Sequence, residues 1–380
     1  MTNVLITGAA GTGKSYEIDR IVRSLKHENK TYAVTASTGT AAILIRGRTI
    51  HSYLGIGLGT ADVPKLVKKT KAATKLKLRL LQVLIIDEIS MVDDILFEKI
   101  SQFLQAIRGN DDPFGGVQLI LVGDFAQIPP VTGDYCFKSK EWERAQIEIR
   151  TLKKNWRQKE DEVFQGILAE ARQGKLSNES MEILKSRTKL KKIKGIEPTI
   201  LFAKNVDVDA INEKMYRKLL RQGQKDADEG GLPFELFRKE YKQNVPYGQT
   251  LDLCIGAQVV LTWNISFEEG LVNGSRGVVT SVSNDSGPMV KFIGKETSTL
   301  ITFVKLADKI PLKLAYALTI HKSQGMTLDY MVVDLGSSIF EYGQAYTALS
   351  RAKNLESIVF IDICKESFKT HPDVKNMYCD

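Results

Sequence analysis

Short apolar runs alternate with helical-period segments through the first 150 residues. Val4–Ile6, Tyr32–Thr35, Val83–Ile86 and Val117–Val122 are apolar at nearly every position, as parallel strands covered on both faces require. Between the first two runs Ile18, Ile21, Val22 and Leu25 recur at helical spacing, which predicts a strand–turn–helix unit and a doubly wound α/β layer. A second set of apolar runs follows at Thr199–Ala203, Met331–Leu335 and Ile358–Ile363. The intervening stretch from Gln249 to Val304 has another texture: short strand-like pieces broken by Gly256, Asn273-Gly274, Gly277 and Gly287-Pro288. That punctuation predicts a small antiparallel barrel inserted into the second α/β unit.

Composition adds a partner class. The 380 residues carry a net charge of +8, with 43% hydrophobic content typical of a globular chain. Between Lys65 and Arg79 there are seven basic residues and no acidic one; Arg187–Lys194 and Lys214–Lys225 add five basic residues each. Such runs serve as solvated faces or as contacts to a polyanion. The four cysteines are scattered without a C-x-x-C pair, the usage of a reduced compartment. No apolar stretch approaches the roughly 18 residues of a membrane span, and the N-terminus runs directly into a strand. We therefore expect a soluble intracellular protein without a membrane partner.

The sharpest chemical signal is Gly-Ala-Ala-Gly-Thr-Gly-Lys-Ser at 8–15, placed after the first strand and before the first helix. It matches the phosphate-binding loop G-x-x-x-x-G-K-[ST]. Gly8, Gly11 and Gly13 let the backbone wrap so that its N–H groups, with Thr12, face phosphate oxygens; Lys14 reaches the β/γ-phosphates and Ser15 ligates Mg²⁺. Asp87 and Glu88 end the Val83 strand, where α/β sheets bind ligands. Asp87 is suited to the metal shell and Glu88 to activating a water, so ATP hydrolysis with Mg²⁺ is predicted rather than binding alone. After the next strand, Gly123-Asp124-Phe125-Ala126-Gln127-Ile128-Pro129-Pro130 offers the Gln127 amide to the γ-phosphate or the attacking water.

These segments, taken in order, resemble the superfamily 1B DNA helicases, and within them the petite-integration-frequency family with its RecD-like relatives. The resemblance spans nearly the whole chain. It includes Thr35-Ala36-Ser37-Thr38-Gly39-Thr40-Ala41-Ala42, Thr49-Ile50-His51-Ser52, a signature-like segment from Ile95 to Gly116, and Ala317-Leu318-Thr319-Ile320-His321-Lys322-Ser323-Gln324-Gly325. Asn155-Trp156-Arg157-Gln158 and Ala345-Tyr346-Thr347-Ala348-Leu349-Ser350-Arg351-Ala352 complete it.

The resemblance implies two RecA-like P-loop NTPase domains, 1–150 and 151–380. It further implies a small wedge element at about 55–79 in the first and an SH3-like β-barrel at about 213–310 in the second. It implies that Gln127, Arg157, Gln324 and Arg351 act as γ-phosphate sensors, with Gly325 also at the nucleotide. Ser37, Thr38, Gly39, His51, Ser52, Pro129, Asn205, Thr319, His321 and Lys322 are implied to hold the sugar-phosphate backbone of single-stranded DNA without reading sequence. Phe125 is open to two roles, stacking on a base or packing the core.

The implied activity is 5′-to-3′ unwinding of tailed, forked or structured DNA, with replication, repair, recombination and telomere maintenance as the processes such enzymes serve. Partners then include single-strand/duplex junctions, RNA–DNA hybrids and G-quadruplex DNA, with a monomer or a DNA-induced dimer as the working form. A bacterial or phage-infected cytoplasm is expected over nucleus or mitochondrion. The alternative is a single-stranded DNA translocase, or an ATP-switched binding or annealing protein, with little unwinding of its own. Only three residues precede Val4, where the family normally carries an adenine-reading segment. Relaxed discrimination among nucleoside triphosphates is therefore expected.

Overall fold

A computed structural model describes residues 2–378 apart from Leu58, 189–196, 229–235, 241–249, 263–264, 267–268, Gly270, 272–274, Asn284, Gly294, 303–309 and Asp329. Six parallel strands form the first sheet: β1 (Val4–Thr7), β2 (Tyr32–Ala36), β3 (Arg48–Thr49), β4 (Val83–Asp87), β5 (Gln118–Gly123) and β6 (Glu148–Thr151). Their order is β3-β2-β4-β5-β1-β6. β1, β4 and β5 are buried almost end to end, because helices cover both faces of a parallel sheet. Register places Thr7 opposite Gly123 and Ala36 opposite Asp87. The residues that follow β1, β2, β4 and β5 therefore all emerge at the carboxyl edge, where a doubly wound sheet binds its ligands.

The second layer opens with β7 (Thr199–Phe202). The Asn205–Asp228 helix then leads into a hairpin of β8 (Leu236–Glu240) and β9 (Thr250–Cys254). An antiparallel sheet follows, of β10 (Gln258–Leu261), β11 (Arg276–Ser281), β12 (Met289–Phe292), β13 (Thr299–Leu300) and β14 (Leu312–Leu314), ordered β13-β12-β11-β10-β14. The chain then returns through β15 (Ala317–Thr319), β16 (Met331–Leu335) and β17 (Ile358–Ile363) to complete a parallel sheet ordered β15-β7-β16-β17.

The expected antiparallel insertion is thus present as an open-ordered sheet with its own core around Phe237, Leu253, Val259 and Leu312. The Asn273-Gly274 turn lies outside the described residues, as does the basic run from position 189 to 194. By contrast, one continuous core joins the two parallel layers: Leu84 and Phe103 belong to the same cluster as Leu201, Val333 and Tyr346.

The basic segment after Gly55 forms two short helices, Val63–Lys69 and Ala72–Leu80, whose Leu66 and Leu78 are buried while Lys65, Lys68 and Lys69 are exposed and Lys77 turns back to donate to Tyr53 O at 2.8 Å. Both pack on the amphipathic Asp94–Arg108 helix, which buries Phe97, Ile100, Phe103, Leu104 and Ile107. Arg108 fixes the junction by donating to the carbonyls of Leu78, Arg79 and Leu81 at 2.8–2.9 Å and to Gly115 O at 2.6 Å. These bonds satisfy carbonyls that the end of the second short helix would otherwise leave unpaired.

Candidate functional site

The loop between β1 and the Lys14–His27 helix turns through three positive φ values, 155° at Gly8 and 85° at both Gly11 and Gly13. At Gly11 a side chain has no room: a Cβ would lie 2.8 Å from Arg157 Cβ, Asn155 Oδ1 and Gln158 Oε1. Lys14 folds back over this loop, its Nζ donating to Gly8 O at 2.7 Å and to Ala9 O at 3.0 Å. Burial lowers its pKa, while Asp124, Glu88 and Asp87 act in the opposite direction. Ser15 is exposed at the first turn of the helix, and no hydrogen bond joins it to Asp87 among the described residues.

Asp87 and Glu88 are both largely buried. Burial, reinforced by the charge of Glu88, raises the Asp87 carboxyl well above the usual carboxylate range. A pair in that position gains from a cation; one or two carboxylates with a helix-initial hydroxyl is the usual protein share of a Mg²⁺–nucleotide site. Glu88 holds φ 51° and ψ 47°, a left-handed conformation that is uncommon for a side chain of this size. Its carbonyl accepts from Ser37 Oγ at 3.0 Å and from Met91 N at 3.2 Å, which fixes the strained peptide.

Residues of the second layer meet this site. Gln324 Nε2 donates to Glu88 Oε2 at 3.0 Å, leaving Gln324 Oε1 buried without a partner. Arg351, 2% exposed, places Nη2 3.4 Å from Gln127 Oε1 and Nε 2.9 Å from Thr347 O. Arg157 N reaches Gly11 O at 3.3 Å, and its Nη1 donates to Ser350 O at 2.9 Å. Burial, with the charge of Arg351 adding to it, pushes the Arg157 pKa down.

A family model described as PIF1-like helicase matches residues 2–182, and one described as DNA helicase Pif1, 2B domain, matches 237–282. The ATP-dependent DNA helicase PIF1 of Xenopus laevis is 37% identical over 395 residues, covering 99% of this chain and 61% of its own length. The crystal structure of the Pif1 helicase from Candida albicans superposes with a TM-score of 0.87 at 32% identity, covering 100% of this chain and 95% of that one. The chain belongs to the PIF1-like helicase family. A Bacteroides Pif1 helicase in complex with ADP-AlF3 and single-stranded DNA is also similar, with TM-score 0.75, 28% identity and coverage of 100% and 94%. The chain thus spans about three-fifths of the Xenopus relative.

Within this PIF1-like frame the residues expected at DNA fall at the carboxyl edges of the two parallel sheets. Ser37, Thr38 and Gly39 follow β2, and His51 and Ser52 lie in the next short helix, Ile50–Leu54. Ser37 is already engaged with Glu88, and Thr38 Oγ1 accepts from Ala41 N at 3.2 Å. On the second layer Lys322 is exposed and donates to Asn205 Oδ1 at 3.3 Å, while its own N–H goes to the buried Thr319 hydroxyl. Burial lowers the pKa of both His51 and His321.

Two expectations need correction. Phe125 is fully buried in an aromatic cluster, its ring 4.9 Å from Phe137 and 6.0 Å from both Tyr135 and Trp142, so it packs the core and presents no face to a base. Pro129 is buried as well.

Sequence reasoning passed over Asp124, Arg172, Gln158 and Tyr346. Asp124 is completely buried in a bidentate pair with Arg172, Nη2 to Oδ1 at 2.9 Å and Nε to Oδ2 at 3.1 Å. Gln158 Nε2 donates to Ala352 O at 2.8 Å, tying the segment that covers the P-loop to the Arg351 loop. Asp124 sits beside Phe125 in the glycine-led loop after β5, and that position was the available signal. Its partner lies 48 residues away, and no local pattern announces it.

Proposed function

We propose that this chain is an ATP-dependent DNA helicase that moves 5′ to 3′ on single-stranded DNA and unwinds tailed, forked or structured duplexes. One observation carries the reading: groups from both parallel layers meet at one cleft, Gln324 on Glu88 at 3.0 Å and Arg351 beside Gln127 at 3.4 Å. A site completed only when two layers close can couple nucleotide turnover to their relative movement. We assign the first layer to 1–150, with a wedge element at about 55–79. The second is assigned to 151–380, with the inserted domain at about 213–310.

The P-loop backbone at Gly8, Gly11, Thr12 and Gly13 cradles the phosphates, and the Lys14 ammonium exchanges its loop carbonyls for phosphate oxygens. Ser15 and Asp87 hold Mg²⁺, which when bound neutralises charge on the phosphate oxygens. Glu88 accepts the proton of the attacking water through the oxygen that Gln324 does not occupy. Arg157 and Arg351 neutralise charge on the γ-phosphate as its bond breaks, the neutral Gln127 amide hydrogen-bonds the γ-phosphate or the attacking water, and Gln324 with Gly325 senses the outcome at Glu88. Ser37, Thr38, Gly39, His51 and Ser52 on one layer, and Asn205, Thr319, His321 and Lys322 on the other, hold the DNA backbone. Contacts of that kind are indifferent to base identity, so RNA–DNA hybrids and G-quadruplex-bearing strands fall within reach.

The test is ATP-dependent strand separation on matched duplexes with a 5′ or a 3′ single-stranded tail, with Lys14→Ala as control. Unwinding confined to the 5′ tail is expected, and the control should still bind DNA. Unwinding from the 3′ tail overturns the polarity; DNA-stimulated hydrolysis without unwinding supports a translocase instead.

A further inference from the structure

Beyond the acidic pair, the cleft holds a second buried network that no assigned role uses. Asp124, at the carboxyl end of β5, accepts from Arg172, from the Tyr346 hydroxyl at 3.2 Å, from the Tyr378 hydroxyl at 3.4 Å and from Ala126 N at 3.2 Å. Burial alone would raise this carboxyl, but Arg172 and the nearby Lys14 bring it below its ordinary value. The two tyrosines reach different places on the first layer. The Tyr346 hydroxyl accepts the P-loop N–H of Ala10 at 2.9 Å, whereas the Tyr378 hydroxyl accepts Phe125 N at 3.0 Å and lies 2.8 Å from Thr7 Oγ1.

A phenol has one proton and two lone pairs. With its oxygen taken by Ala10 N–H, Tyr346 directs its proton to Asp124. The chain of bonds therefore runs one way, from a P-loop amide through a second-layer hydroxyl to a buried carboxylate, and a charged terminus strengthens such a chain. Gly343, one turn before Tyr346, allows the approach: its φ is 66°, and a Cβ there would lie 2.4 Å from both Ala126 O and Gln127 O.

We propose that Tyr346 is a positioning residue for the nucleotide. Its hydroxyl sets the Ala10 peptide of the P-loop against Asp124, so the loop holds its phosphate-binding shape only while the Gly343–Tyr346 segment is docked. This rests on the ATPase reading above, and the test separates the two.

With the full-length protein, ATP KM and kcat under saturating single-stranded DNA, the dissociation constant of a fluorescent ADP analogue, and the melting temperature are measured for Tyr346→Phe, Tyr378→Phe and Lys14→Ala. Tyr346→Phe orphans one buried N–H, and a rise of about tenfold in KM and in the ADP constant is expected. Tyr378→Phe, which leaves Ala10 capped, should keep both within about twofold while losing a similar amount of melting temperature. Unchanged nucleotide affinity in Tyr346→Phe, or an equal rise in both phenylalanine variants, overturns the proposal and makes the cluster simple packing. Normal turnover in Lys14→Ala overturns the ATPase reading itself, whatever the tyrosines do. Should Tyr346→Phe fail to fold, exchange of the Ala10 amide, followed by NMR in unsubstituted nucleotide-free protein with labelled alanine, decides the matter. Protection is expected, and exchange at the rate of an open loop is the contrary result.

Discussion

The cleft between the parallel layers and the candidate DNA face are built on the same strand ends but handled in opposite ways. In the cleft the charged groups are buried and held by several partners: Asp124 by four residues, Arg351 by contacts to Thr347, Ser350 and Gln127. On the face Lys322 is exposed with one side-chain hydrogen bond among the described residues, to Asn205, and Gly39 is open to solvent. Bond making and breaking demands groups fixed within fractions of an ångström, and burial with multiple bonds supplies that fixity. Gripping a strand that must slide past demands many weak, replaceable contacts. Single substitutions should therefore act steeply in the cleft and shallowly on the face.

The steepest case is Glu88→Gln. The amide keeps the size of the side chain but cannot take a proton, so DNA-stimulated turnover should fall by roughly 10²–10⁴-fold. Because Glu88 does not lie on the DNA face, steady-state affinity for single-stranded DNA should stay within about threefold. Loss of both together would erase the distinction between the two regions.

Next comes Asp124→Asn, read as stability against pH. The folded-state carboxyl lies below its ordinary value, so ionised Asp124 stabilises the fold above about pH 4, and this contribution is lost as the pH falls through the lowered value. Breaking a buried pair by removing one charge costs about 3–5 kcal/mol. In urea titrations the variant should be weaker by that order at pH 7, and its stability should fall less steeply than wild type below pH 4. Parallel pH profiles would mean that Asp124 titrates alike folded and unfolded.

Phe125→Ala tests the corrected assignment. Removing a fully buried aromatic ring costs about 3–5 kcal/mol. Single-stranded DNA affinity measured well below the melting temperature should change less than twofold. A large affinity loss in a stably folded variant would return the ring to the DNA face.

What was legible in the sequence follows from how local each constraint is. The P-loop could be read because its glycines, lysine and flanking strand and helix lie within a single span of chain, and β1, β2, β4, β5, β7, β16 and β17 because they run as largely apolar stretches; the edge strands β3 and β6, exposed and partly charged, and the three-residue β15 carry no such run and were missed. The Asp124–Tyr346 contact spans 222 positions. Nothing about a tyrosine in an apolar helix tells that its hydroxyl will find a P-loop amide. Phe125 was ambiguous for a similar reason: whether a ring after a strand turns inward depends on Phe137 and Trp142, which arrive from later elements. The left-handed Glu88 was equally hidden, since a non-glycine φ of 51° is imposed by Ser37 and Met91 rather than chosen by glutamate.

The shallowest prediction concerns the face alone. Lys322 is one exposed ammonium held by an Asn205 oxygen, and on the proposed DNA reading its replacement removes one phosphate contact without orphaning a buried group. Lys322→Ala should weaken single-stranded DNA binding a few-fold and reduce the slope of log affinity against log salt by about 0.7, the single-strand value for one contact. Turnover per bound strand at saturating DNA should stay within about twofold, because no bond from Lys322 enters the cleft among the described residues. The salt slope is the discriminating quantity: a general loss of folding lowers affinity at every salt concentration alike, whereas loss of one ion contact changes the slope. If the slope holds while affinity falls, Lys322 positions Asn205 and does not itself meet a phosphate, and the face is more tightly organised than its exposure suggests.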